Sequence, residues 1–207
     1  MIICYLVVIA SIFAFGYIIG QVNVIYLLNN LHTPFLDQIF YYLTQLGNAF
    51  IFVPVLIVAI FYRFSLAIGL IGNVVIQGII VSIFKRLLFP KAPRPIHFID
   101  KDVICHVQGI HIHHWMSFPS GHTVTIFGLC IFLSLWTKNY WVSLFLLLLA
   151  TLVGISRMYL AQHFPVDVAF GALFGTAIGV FSVILVENWD KSNWMNQKLI
   201  LPRQYKN

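Results

Sequence analysis

Pro119-Ser120-Gly121-His122 stands directly before the run Thr123-Val124-Thr125-Ile126-Phe127-Gly128-Leu129-Cys130-Ile131-Phe132-Leu133-Ser134-Leu135-Trp136. Four turn-forming and reactive residues followed by such a run mark the start of a helix, and the run is long enough for most of a bilayer crossing. The same pattern occurs twice more. Ser156-Arg157, His163 and Asp167 lie where one apolar run ends and the next begins, and Lys85 through Arg94-Pro95 follows the end of an earlier run. Nearly all reactive side chains gather at these three junctions, while the rest of the chain is mostly hydrocarbon. The pattern predicts a bundle of membrane helices that holds one site at its rim.

Composition agrees with that reading. The 207 residues are 60% hydrophobic and 9% charged, against roughly 25% charged in a soluble domain. Such a chain cannot cover a globular surface with polar groups, so it is expected to be an integral membrane protein. Its length suits one domain over residues 1–207. The formal charge of +6 does not point to nucleic acid, because the basic residues form neither a face nor an arm. Nothing points to an obligate protein partner. Cys4 and Cys130 lie in apolar runs as small hydrophobes, and the odd count with Cys105 gives no disulfide framework. Residues 1–20 lack a basic leader and a small-residue cleavage site, so they are expected to be a retained first span.

The expected architecture is all-α: a polytopic six-span bundle with an interfacial amphipathic helix and an extracytoplasmic active-site loop. The spans are placed at about 2–20, 49–62, 65–84, 120–136, 140–158 and 166–186. Between Pro34 and Gly47 the positions Phe35, Leu36, Ile39, Phe40, Leu43 and Leu46 recur at helical spacing, as for an amphipathic helix in the interface. A helix packed inside the bundle mouth fits the same pattern. Gly69, Gly72 and Gly78 offer close helix contact in the third span. Asn73 and Gln77, one turn apart in the same span, are expected to face the interior. Residues 85–118 read as a functional loop, and 187–207 as a polar tail with Trp189 and Trp194 near the interface.

Six spans put both termini on one side. With Arg63, Lys138, Lys191, Lys198, Arg203 and Lys206 there, and Lys85, Arg86, Lys91, Arg94, Lys101 and Arg157 opposite, the positive charges balance. Lys85, Arg94 and Arg157 are candidate ligand-binding residues and carry no topological weight. Without them the positive-inside rule places the termini and tail in the cytoplasm and the 85–122 loop outside, across the plasma membrane.

The three junctions together resemble the signature of the type 2 phosphatidic acid phosphatase superfamily, the membrane lipid phosphatases related to vanadium haloperoxidases. Pro119-Ser120-Gly121-His122 matches its second segment, and Ser156-Arg157, five residues, His163, three residues, Asp167 matches its third. The first segment departs, since eight residues separate Lys85 from Arg94-Pro95 where the family commonly has six. Arg86 or Lys91 could therefore stand in the place of Lys85. The resemblance implies that His163 is the nucleophile and that Asp167 orients its other ring nitrogen. It also implies that His122 is the general acid and later the base. The implied phosphate binders are Lys85, Arg94, Ser120, Gly121 and Arg157, with no metal and no cofactor.

Phosphate chemistry fits these residue types. A phosphoryl group in transfer carries charge on three equatorial oxygens, so catalysis is mainly positioning and electrostatic stabilisation. Guanidinium forks match phosphate oxygens. Ser120 is placed to cap the fourth span, whose first N–H groups then point at an anion.

Blander readings exist for each residue. Arg157 and Asp167 could be a structural ion pair, Ser120 a simple cap, and Asp100, Lys101 and Asp102 solvated loop charges. His106, His111, His113 and His114 lack a carboxylate or cysteine at firm ligand spacing, apart from Cys105, and read better as loop residues near a headgroup than as a metal site. The expected substrate is a membrane lipid phosphate, undecaprenyl diphosphate first. Lipid A phosphates, phosphatidylglycerol phosphate and phosphatidic acid fit as well. A lipid phosphotransferase and a non-enzymatic anion or lipid transporter are the rival classes.

Overall fold

The computed structural model describes residues 1–100 and 104–189, and the regular structure among them is helical. The α-helices are α1 (Ile2–Ile19), α2 (Gln21–Asn29), α3 (Pro34–Gln45), α4 (Phe52–Tyr62), α5 (Phe64–Ser82), α6 (Gly121–Thr137), α7 (Tyr140–Tyr159) and α8 (Pro165–Asn188). Of these, α1, α5 with its extension to Leu88, α7 and α8 are each long and apolar enough to cross a membrane. The pair α3 and α4, joined at a 66° bend, meets the same test together. The chain is a membrane protein.

Local chemistry sets the helix starts. Thr33 accepts from the Leu36 N–H at 3.2 Å with Pro34 at the first helical position, and Asn139 accepts from Val142 N at 3.1 Å. Pro165 opens α8. Its ring fixes φ near the helical value where no N–H is needed.

Helix α6 is the axis of the bundle, mostly buried and flanked by α8, α7 and α5. Helix α1 packs on α8, α4 on α5, and both α2 and α3 on α7. The closest seam, α6 on α8, depends on Gly171, Gly175 and Gly179, one turn apart on α8. A Cβ on Gly171 would lie 2.8 Å from the Ser120 carbonyl oxygen. One on Gly175 would meet the Val124 carbonyl, and one on Gly179 would come within 2.6 Å of the Gly128 carbonyl. Lipid tails are as apolar as leucine, so membrane helices associate through such close backbone packing. Asn73 donates to the Gly128 carbonyl at 3.3 Å and accepts from Gln77, so both polar residues face the interior as expected.

Several expectations are corrected. Only Gly69 of the α5 glycines makes a close helix contact, since its Cβ would lie 2.6 Å from Phe132, whereas Gly72 and Gly78 face open space. Residues 21–29 form a helix that no apolar stripe announced. Val24 and Ile25 are buried, and Asn29 bonds both backbone polar groups of Cys105 at 3.2 and 3.1 Å. The stretch after Gly47 opens as a 3₁₀ turn at Ala49–Ile51 before α4. The third apolar run continues past Phe84 as a π turn, Ile83–Leu88, that carries Lys85. The loop after it contains a 3₁₀ turn at Pro95–His97. Helix α8 extends through Asn188. The rest of the expected tail, Trp194 included, and the loop charges Lys101 and Asp102 lie outside the described residues.

The seam makes opposite demands on two sets of glycines. Gly175→Leu should lower the stability of the purified protein by about 1–3 kcal/mol or more through overpacking, whereas Gly72→Leu, facing open space, should cost little. Thermal unfolding in detergent checks both, and equal losses would contradict the packing.

Candidate active site

The seam brings the start of α6 against the start of α8: Ser120 N–H donates to the Asp167 carbonyl at 3.1 Å. From the other side, α7 ends in a tight turn with Ala161 at φ 52°. In this turn the Arg157 carbonyl accepts from Gln162 N at 2.9 Å and His163 N at 3.2 Å, which folds His163 back beneath Arg157. The long loop is stitched down over the same place. Arg94 donates through Nε to the Trp115 carbonyl at 3.0 Å, and through Nη1 to the carbonyl and Oε1 of Gln162 at 3.2 and 3.1 Å. Lys85 Nζ donates to the Met116 carbonyl at 2.9 Å. The Phe118–Pro119 peptide is cis.

His163 is 1% exposed. Its Nδ1 lies 3.6 Å from Asp167 Oδ2, an ion-pair distance too long for a hydrogen bond, and has no hydrogen-bond partner among the described residues. Oδ2 is already occupied, accepting from Ser117 Oγ at 2.5 Å and Phe164 N at 2.9 Å. Arg157 donates through Nη1 to Thr44 Oγ1, while its buried Nε–H has no partner among the described residues.

Electrostatics follow from this packing. Burial is the main force pushing His163 well below the ordinary histidine range, and Arg94, Lys85, Arg157 and His122 push the same way. At neutral pH the ring is therefore an uncharged imidazole. Arg94 is lowered to about 10 by burial, with Asp167 acting in the opposite sense, so it stays charged at neutral pH. His113 on the rim is lowered by burial and then by Arg94, His111, Lys85 and Arg157.

Most of the candidate site residues come together here. His163, Asp167, Arg157, Arg94 and Ser120 are buried together. Lys85 and His122 act electrostatically on His163. Arg86 and Lys91 are exposed and make no such approach, so among the three rival cations Lys85 is the one that reaches the site. One expectation fails: Ser120 does not cap α6 with its side chain, because its Oγ accepts instead from Thr123 Oγ1 at 2.8 Å. The N–H groups of the first turn of α6 thus have no side-chain cap.

Three site residues escaped sequence reading. Ser117 is two residues before Pro119 and could have been suspected from its place beside the motif. Gln162 adjoins His163. Thr44 has no local signal at all. The rim histidines pair as His111 with His113 (ring centroids 4.6 Å apart) and His97 with His114 (5.4 Å). Among the described residues no three His, Cys, Asp or Glu side chains are gathered as a metal site would require.

A buried Arg157 Nε–H with no partner among the described residues, two further cations and a helix start without a side-chain cap can together serve as a receptor for a tetrahedral oxyanion. His122 borders a cavity of about 350 Å³ between α5, the start of α6 and the α3–α4 corner, lined by Gly47, Val74, Gly78 and Val81 among others.

Residues 64–191 match the family model described as the PAP2 superfamily. Over 165 residues the chain is 26% identical to an undecaprenyl-diphosphatase of Sulfolobus acidocaldarius, covering 79% of this chain and 77% of that protein. Over 181 residues it is 27% identical to a lipid A 4'-phosphatase of Porphyromonas gingivalis, covering 84% and 75%. Among solved structures, Aquifex aeolicus LpxE aligns with a TM-score of 0.70 at 30% identity, covering 79% of this chain and 94% of that one.

An anion that fills the receptor should stabilise the fold. Inorganic phosphate at about a hundred times its Kd should add about 2.7 kcal/mol, read as a rise in melting temperature, and Arg157→Ala should abolish the rise. An undiminished rise in the variant would place the anion elsewhere.

Proposed function

Since the chain belongs to the PAP2 superfamily and is a membrane lipid phosphatase, we propose that it works through a phosphohistidine on His163, with undecaprenyl diphosphate as its first substrate. The observation that carries this reading is the buried, uncharged His163 together with an Arg157 Nε–H that has no partner among the described residues. An uncharged imidazole is nucleophilic, and an unpaired buried guanidinium N–H is matched by a phosphate oxygen.

In the proposed reaction the His163 Nε2 lone pair attacks phosphorus, because Nδ1 faces Asp167. The bond from phosphorus to the leaving oxygen breaks, and His122 gives that oxygen its proton. The leaving group is a lipid alcohol from a monoester or a lipid monophosphate from a diphosphate. As His163 gains positive charge, Asp167 draws closer and stabilises it. Water then attacks the phosphohistidine, His122 takes its proton, and inorganic phosphate leaves. Lys85, Arg94 and Arg157 balance charge on the equatorial oxygens, with backbone N–H groups from Gly121 onward. The three cations take the part a metal ion would play.

The membrane reading extends the same way. Helix α6, 17 residues and so about 26 Å long, completes a six-span bundle with the four long helices and α4 with the 3₁₀ turn before it. Helix α3 then lies at the interface, with Tyr41 and Tyr42 at headgroup level. The site faces the periplasm or outside, and the termini face the cytoplasm. The cavity beside His122 would take the first stretch of the leaving lipid chain. Lipid A and phosphatidylglycerol phosphate remain the alternative substrates, and transfer to an alcohol the alternative outcome. A transporter fits less well, since the cations gather at one rim instead of lining a path.

His163→Ala should abolish turnover, and His122→Ala should cut it by about 10²–10⁴-fold, in protein that remains folded. Release of inorganic phosphate from undecaprenyl diphosphate, lipid A and phosphatidylglycerol phosphate measures both effects and ranks the substrates. Near-normal rates in either variant would reject the assigned roles. The pH profile carries a second expectation. The attacking imidazole must be unprotonated, and the His163 pKa is depressed, so its acid limb should lie below the ordinary histidine value of about 6.5.

A further inference from the structure

We propose that Thr44 is a positioning residue for Arg157, holding the guanidinium so that its Nε edge stays open to the phosphate; this rests on the phosphatase reading of the site. Helix α3 is tied to the last turn of α7 at two points. Near its start, Asp37 accepts from Tyr159 Oη at 2.6 Å. The Tyr159 ring is stacked on by His32 and met by Phe40, each with centroids 4.2 Å away. Two turns further on, Thr44 Oγ1 accepts from Arg157 Nη1. Asp37 and Thr44, seven residues apart, share one face of α3, and Arg157 and Tyr159 are two residues apart on α7. The outer tie fixes the register of α3, and the inner tie acts on the catalytic cation.

The reason one hydroxyl matters is the shape of the guanidinium. It is a rigid plane with five N–H donors, so engaging one Nη sets the rotation of the whole fork. Arg94 shows the contrast, because its Nε and Nη1 are taken up by the Trp115 carbonyl and by Gln162. Arg157 instead has one side-chain partner on Nη1 and a buried Nε–H with none among the described residues. Thr44 is itself 2% exposed, so water does not readily replace its hydroxyl.

The test uses the full chain, purified in detergent, as wild type, Thr44→Val and Thr44→Ser. Thr44→Val should lower kcat on a lipid phosphate by about 10–100-fold, in line with one hydrogen bond to a charged group, with KM changed less than threefold. It should weaken orthovanadate binding by a similar factor. Thr44→Ser should restore both to within a few-fold. In an Arg157→Lys background, Thr44→Val should have little further effect. A lowered melting temperature with unchanged kcat and vanadate affinity would reduce Thr44 to a structural contact and overturn the proposal, as would full additivity with Arg157→Lys. If Thr44→Val does not fold, Thr44→Ala is read in the same way. Vanadate affinity, measured calorimetrically, needs no turnover. A wild-type chain that binds vanadate but releases no phosphate would therefore fail the phosphatase reading while still testing Thr44.

Discussion

Backbone contact between α6 and α8 is the constraint on which the rest of the structure depends. Gly171, Gly175 and Gly179 let the two helices approach until carbonyls of α6 lie where side chains would otherwise stand. That approach sets the start of α6 beside the start of α8, with Ser120 bonded to the Asp167 backbone. Two motif segments more than thirty residues apart in sequence thus become one wall of a site. A bulkier seam would push them apart, and no adjustment of the loops could bring Ser120 back to Asp167.

Buried charge is the second constraint. Three cations in a mostly apolar bundle are costly unless each finds hydrogen-bond acceptors. The protein meets that need unevenly. Arg94 and Lys85 are held by carbonyls of residues 115 and 116, and Arg94 also by Gln162, so they fasten the long loop over the site. Arg157 has no partner on its Nε among the described residues. Asp167 shows the same division, its Oδ2 anchored by Ser117 and Phe164 while remaining within ion-pair range of His163. Groups that are satisfied hold the frame, and Arg157 Nε and His163 Nδ1 have no hydrogen-bond partner among the described residues.

Much of this was legible in the sequence because membrane helices announce themselves by unbroken apolar length, and reactive residues at their ends stand out against hydrocarbon. The helices later seen as α1, α5, α6, α7 and α8 were foreseen to within a few residues at most ends, as was the inward-facing Asn73–Gln77 pair. Helix α2 has no such signal, because its buried face is short and apolar Leu27 is left exposed on the other side. The α5 glycines were misjudged since glycine in an apolar run signals either a contact or a gap, and only the neighbouring helix decides which.

By itself the sequence determined that this is a helical membrane protein, and it set apart a small group of reactive residues by their type and spacing at the ends of apolar runs. Only the tertiary structure separated Lys85, whose Nζ bonds the Met116 carbonyl and which acts on His163, from the exposed Arg86 and Lys91 nearby in sequence. It also decided that Ser120 bonds Thr123 and does not cap its helix, and that Thr44 reaches Arg157 across 113 residues of chain. Such contacts are set by which faces of distant helices meet, and no local pattern of residues encodes that.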